Sequence, residues 1–147
     1  MNIDQIVNEL EKVSDFGINL LNSARENGVS VKEKFSDNNQ HYFHGFAWYA
    51  TYFKAIETTY YWIKDLAEKN ILTDYETEIA KVGIGEFCLQ IIHGIPMSQN
   101  ETIRPNEILI DDNLIQEFQK VSKSVSYTHL RAHETPEHRV CRLLLEK

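Results

Sequence analysis

The 147-residue chain is one domain's worth of sequence, long enough to bury a core without disulfide or metal staples. With 42% hydrophobic and 11% aromatic residues it has a globular composition, and its formal charge of −7 disfavours nucleic acid or an anionic membrane surface, both of which select a basic face. The two cysteines, Cys88 and Cys141, show no CxxC spacing, no basic stretch precedes an apolar run at the start, and no apolar run approaches a membrane span; a soluble, cytoplasmic protein without a disulfide framework is the expectation.

In chain order, Ile3, Ile6, Val7, Leu10, Val13, Gly17, Leu20, Leu21 and Ala24 recur at three-and-four spacing and predict an amphipathic helix over 3–27. Asn2 with Gln5 has the pattern of a capping box, and Gly28 is the expected stop. A polar linker over 29–36 follows. Asp37 with Gln40 then opens a second helix, expected to reach about Asn70. Between Tyr42 and Trp62 this helix carries Tyr42, Phe43, Phe46, Trp48, Tyr49, Tyr52, Phe53, Tyr60, Tyr61 and Trp62. These rings fall on more than one face, which predicts a central helix with neighbours on two sides. Tyr and Trp tips need polar partners or water, which suits a helix–helix or subunit boundary.

Thr73 and Glu76 form a third capping box, launching a helix to about His93. Gly83 and Gly85 lie inside it, each costing about 1 kcal/mol against alanine. With Ala80 they predict a smooth face closely approached by the aromatic helix. Gly94 ends this helix and Pro96 prevents its resumption. The chain from Ile95 to Ile110 is expected to be extended or irregular. Asp111 or Asp112 caps a last helix through about Lys123, with Leu114, Ile115, Phe118 and Val121 as its stripe. The fold class expected is all-α: a bundle of about four helices with an extended arm after Gly94, over 1–124.

From Val125 the character changes. Residues 125–147 hold three of the six histidines, and their four basic and three acidic residues leave −8 on the first 124. This stretch resembles translated adapter or vector DNA, so 125–147 is expected to be a non-native tail. His129, His133, His138 and Cys141 have superficially ligand-like spacing. Without a partner CxxC, and with Pro136 breaking any helix that would align them, they do not form a tetrahedral zinc set.

Other chemistry-bearing residues are few. His41 and His44 stand one turn apart, as a metal patch would, but no Glu-x-x-His precedes the tail, and a satisfied or solvent-facing pair is the expectation. Cys88, beside Phe87 and Leu89, is expected to be a buried structural thiol. Glu86 and His93 could form an acid–base pair, although tethering the helix to its surroundings is the commoner role. Gly83-x-Gly85 lacks the strand, turn and third glycine of a dinucleotide fingerprint. No catalytic, cofactor-binding or metal-ligating residue is assigned.

Three patches carry a family resemblance. They are Phe46-Ala47-Trp48-Tyr49-Ala50-Thr51-Tyr52-Phe53-Lys54-Ala55-Ile56; Gly83-x-Gly85-Glu86-Phe87 with Leu89-Gln90; and Gly94-Ile95-Pro96-Met97-Ser98-Gln99 with Glu101, Ile103, Arg104 and Pro105. Residues 41 to about 110 resemble the N-terminal extension of a subgroup of acyl-CoA dehydrogenases, the (2S)-methylsuccinyl-CoA dehydrogenases. The Gly-Ile-Pro-Met-Ser-Gln string is the most specific element; Asn100 stands where the subgroup has Gly. The resemblance implies a parent flavoprotein oxidoreductase that moves hydrogen from the α and β carbons of an acyl thioester onto FAD. The flavin-binding and catalytic parts would lie beyond this extension. The chain itself would be a truncated docking or oligomer-stabilising helical module, partnered by the rest of the dehydrogenase or by its homo-oligomer. A free-standing helical interaction or oligomerisation module is the alternative.

Overall fold

The computed structural model describes residues 3–32 and 39–132, and over these the all-α expectation holds. Four helices, α1 (Ile3–Lys32), α2 (Gln40–Glu68), α3 (Asp74–His93) and α4 (Asp112–Ala132), surround one core. Between α3 and α4 lie a two-stranded hairpin, β1 (Ile95–Ser98) and β2 (Glu101–Ile103), and a 3-10 turn (Pro105–Ile108). The central position expected for the aromatic helix is observed: α2 packs on α1, on α3 and on the hairpin arm, while α4 closes against α1 and α3.

The α1 stripe is buried as its spacing requires: Ile6, Leu10, Val13, Leu20 and Ala24 are in the core, with Val7 and Leu21 packed at its margin. Gly17 sits beneath Phe53, where an added Cβ would lie 2.8 Å from the ring. The expected stop at Gly28 is wrong, because the helix continues to Lys32. Gly28 serves packing instead. A Cβ there would fall 1.9 Å from the Tyr42 hydroxyl, which donates to the Ala24 carbonyl at 2.9 Å. The missing side chain admits a tyrosine tip to the helix backbone. The Asn2 cap lies outside the described residues.

Asp37 also lies outside them, and the N-cap of α2 is Asn39, with no side-chain cap bond. Its other end is closed by Lys69 and by Asn70 at φ 55°. Thr73 and Glu76 form the expected capping box of α3: the Thr73 hydroxyl accepts from Tyr75 N–H, and the Glu76 carboxylate accepts from Thr73 N–H at 3.0 Å. Gly94, at φ +119°, ends α3 as expected, and its N–H donates to the Gln90 carbonyl.

The arm is more regular than an extended or irregular run. Ile95 pairs with Ile103 and Pro96 with Thr102, and the register shifts between Pro96 and Ser98. Ile95, Ile103, Ile108 and Ile110 all reach the core. Among the described residues the left-handed positions are Asn70, Leu109 and Gly94; Asn100 is not one of them, so its turn has no need of glycine. Asp111 caps α4 as expected, its carboxylate accepting from Asn113 N–H at 2.8 Å.

The expected end of α4 at Lys123 is also wrong. The helix runs to Ala132, and Ser122 and Val125 are buried. Phe118, Ser122 and Val125 continue one stripe at i, i+4 and i+7, and no glycine or proline interrupts the chain before Pro136. The helix α4 thus runs through the change of composition at Val125.

Candidate functional site

The densest junction lies where α2, the end of α3 and the arm meet. The Tyr49 side chain is fully buried, and its hydroxyl donates to the Ile91 carbonyl at 3.1 Å with the Ile103 carbonyl at 3.4 Å. Burial, with a smaller contribution from the Glu107 charge, pushes that hydroxyl's pKa well above the ordinary tyrosine value. It is a structural tie, not an acid or base near neutrality. Gly45 lets the arm close: a Cβ there would meet Ile103 at 2.5 Å and Ile108 at 3.2 Å. Next to this tie, the Tyr52 hydroxyl donates to Gln90 at 2.7 Å and its ring meets Phe87 edge-on.

His41 and His44 do not converge. The His41 ring nitrogens face Glu101 at 3.5 Å and Glu107 at 3.2 Å, linking the start of α2 to the arm, whereas His44 accepts from the Trp48 indole N–H at 3.1 Å. Glu107 also accepts from Arg104 N–H at 2.6 Å, which fixes the 3-10 turn. Among the described residues no group of three or more His, Cys, Asp or Glu is arranged to hold a metal. His133, His138 and Cys141 lie outside the described residues.

Cys88 is the buried structural thiol expected; burial pushes it up to about 12. Glu86 and His93 share a face of α3, but seven residues separate them by about 10 Å of helix rise. The glycine expectation on α3 fails in one half: a Cβ at Gly83 would meet nothing within 4 Å, whereas Gly85 is buried. Among the described residues close approaches between elements are made at Gly17, Gly28 and Gly45, and no local signal marks Gly45 because its partners lie more than fifty residues away in sequence.

The outer side of α2 is different in kind. Tyr61 and Trp62 are 57% and 40% exposed, and the exposed positions Ala47, Thr51, Lys54 and Thr58 run between His44 and these rings. Ala50, Thr51, Ala55, Thr58, Thr59 and Phe87 line a shallow groove of about 750 Å³. A second depression, about 630 Å³, lies between the start of α1 and the end of α2, bordered by Val7, Glu11, Lys64 and Leu72. No helix among the described residues is long and apolar enough to cross a membrane.

The described residues thus form a helical bundle with a hairpin arm, buried tyrosine hydroxyls tied to backbone carbonyls, and exposed rings on the outer side of α2. No family model and no solved structure matches the chain. Among curated proteins it is similar to the (2S)-methylsuccinyl-CoA dehydrogenase of Cereibacter sphaeroides, 33% identical over 81 residues. That match covers 55% of this chain and 15% of the relative, so the chain spans a small part of that protein's length. It supports an acyl-CoA dehydrogenase-like relationship over that stretch. A flavin, which such a relationship implies, needs an enclosed cleft with converging polar groups. The two grooves are open surface depressions, and the described residues that line them do not form such a cleft.

Proposed function

We propose that this chain is the helical N-terminal extension of an FAD-dependent acyl-CoA dehydrogenase-like protein, and that it serves as a docking or oligomer-stabilising module with no catalytic group of its own. The α,β-dehydrogenation of an acyl-CoA thioester, the flavin and the catalytic base belong to the remainder of the parent. The observation that carries this reading is the 33% identity to a dehydrogenase of which the matched segment is only 15%. Two features support it: the titratable groups of the interior are hydrogen-bonded or inert, and the rings of the outer α2 face lie in water. The segment from Val125 is proposed to be foreign sequence that extends α4.

A free-standing interaction module is the second reading. It is favoured by a core that closes on itself, with Tyr49, Phe53 and Phe118 fully buried among the chain's own helices. Reading the encoding locus beyond codon 124 tests both. A continuous frame encoding a flavin-dependent dehydrogenase is expected. A stop codon shortly after that point overturns the dehydrogenase reading and leaves the module, and a locus that itself encodes 125–147 overturns the foreign tail.

A further inference from the structure

We propose that Asn27 is a deamidation site, where the side-chain amide turns into a carboxylate without an enzyme. The end of α1 gates the reaction, and its product loosens the corner that leads into α4. The site does not depend on the dehydrogenase relationship.

Asn27-Gly28 is the chain's one Asn-Gly step. The residue after an asparagine decides this chemistry, because its backbone nitrogen is the nucleophile and a glycine puts no Cβ in the way. That nitrogen attacks Asn27 Cγ and gives up its proton. The new C–N bond closes a succinimide ring, and the side-chain nitrogen leaves as ammonia. Water then opens the ring, giving aspartate when it attacks the side-chain carbonyl and isoaspartate when it attacks the backbone one. Nothing is oxidised or reduced.

The fold withholds both reactants. Gly28 lies inside α1, so the helix ladder directs its N–H to the Ala24 carbonyl. The same carbonyl accepts the Tyr42 hydroxyl at 2.9 Å. Tyr42 covers the glycine so closely that a Cβ would fall 1.9 Å from its oxygen. The other reactant is pinned as well: Asn27 Nδ2 donates to the Leu109 carbonyl at 2.9 Å. Attack therefore requires the last turns of α1 to come away from Tyr42 and Leu109, a local opening short of global unfolding.

The Leu109 contact also says what conversion does. Leu109 closes the 3-10 turn at φ 61°, a left-handed conformation that leucine rarely adopts, and Asn27 ties this corner to α1. An aspartate has no hydrogen to donate. Its charge would face the Leu109 carbonyl oxygen and join Asp111 and Asp112, which line the same depression. The first turn of α4 sets only about half an elementary charge against them. Two carboxylates already exceed that. A neutral clamp becomes a repulsion, and the change runs one way.

Peptide mapping by mass spectrometry of the full chain, held at mildly alkaline pH with and without urea, tests the site. Conversion at Asn27 is expected in both. Without urea it should be slower by the factor that protects the Gly28 amide from hydrogen exchange, since both reactions need that N–H freed. Tyr42→Phe is expected to lower the two protections together. No conversion at Asn27 in urea overturns the site; equal rates with and without urea, or two protections that do not track each other, overturn the gate. Asn27→Asp supplies the product directly, at nearly unchanged helix propensity. Its melting temperature is expected to fall below that of the wild type, by a deficit that shrinks as salt screens the acids. The Leu109 and Ile110 amides, bonded to Asn106 and Pro105, should exchange faster. A variant that melts with the wild type overturns the loosening, and a deficit that salt leaves untouched overturns the repulsion.

Discussion

The two sides of α2 are made from the same kinds of residue and behave in opposite ways. Inward, each tyrosine has a fixed partner: Tyr42 binds the α1 backbone, Tyr49 the ends of α3 and β2, and Tyr60 the Glu11 carboxylate at 2.6 Å. Outward, Tyr61 and Trp62 are left in water. Aromatic content therefore says little about where a ring goes. What decides it is whether a neighbouring helix offers a gap or an acceptor: on the inner side Gly17 of α1 makes room for Phe53 and Gly28 for Tyr42.

Truncation on either side should expose this contrast most strongly. Phe53 is 1% exposed, fills the space over Gly17 and meets Phe118 edge-on with centroids 6.1 Å apart. Phe53→Ala is expected to cost about 3–5 kcal/mol, from lost burial plus the cavity left behind. The equally drastic Tyr61→Ala on the outer side should stay within about 0.5 kcal/mol. Urea denaturation of the two variants checks it; comparable losses would mean that the outer face is also packed in the monomer.

The opposite perturbation, adding a methyl, sharpens the same contrast. Gly45→Ala drives a Cβ into Ile103 and Ile108, both fully buried, and pries the arm from α2. Overpacking of this kind costs about 1–3 kcal/mol. Hydrogen exchange should report the loss first in the hairpin amides. A variant as stable as wild type would show that the arm is loosely held.

Cys88 probes the interior by pH. The folded state keeps the thiol protonated to about 12, whereas the unfolded chain releases that proton near 9. Above pH 9 the folded state thus binds more protons than the unfolded one. The stability this group contributes is complete below pH 9 and is lost as pH rises toward 12, by about 1.4 kcal/mol per unit once the unfolded thiol has ionised. Tyr49, Tyr42, Tyr52 and Tyr60, all raised by burial, add losses of the same sign from about pH 10. Between pH 9 and 10, Cys88→Ala should therefore flatten the decline seen in thermal melts of the wild type. An equal slope in both proteins would show the thiol to be reachable by solvent.

Local signals in the sequence were sufficient where the physics is local. The Thr73–Glu76 box, the Asp111 cap and the Gly94 stop each involve groups within a few residues, and each is observed. The stripes of α1 and α4 follow from periodicity in the same way. Where the structure differs from local signals, a distant partner is the cause at Gly28, and a continued periodicity is the cause at the end of α4. Gly28 and Gly94 are alike in sequence, but a tyrosine from another helix covers Gly28 and keeps it helical. Composition suggests an end of α4 near Lys123, whereas the spacing from Phe118 through Ser122 places Val125 on the same buried stripe. His41 and His44 are exposed and each has its own partner, Glu107 and Trp48, in keeping with satisfied histidines. The outer face of α2 was the more legible part of the candidate site. Rings on more than one side implied a boundary, although which residues would stay in water depended on where α3 and the arm came to rest.

Gly83 offers the smallest effect and the only one of opposite sign. Among the described residues nothing outside its own stretch of helix lies within 4 Å of a methyl there. Gly83→Ala removes about 1 kcal/mol of helix penalty, so thermal unfolding of the monomer should shift upward by that amount. A loss of stability would mean that α3 lies closer to its neighbours than the clearance at Gly83 allows.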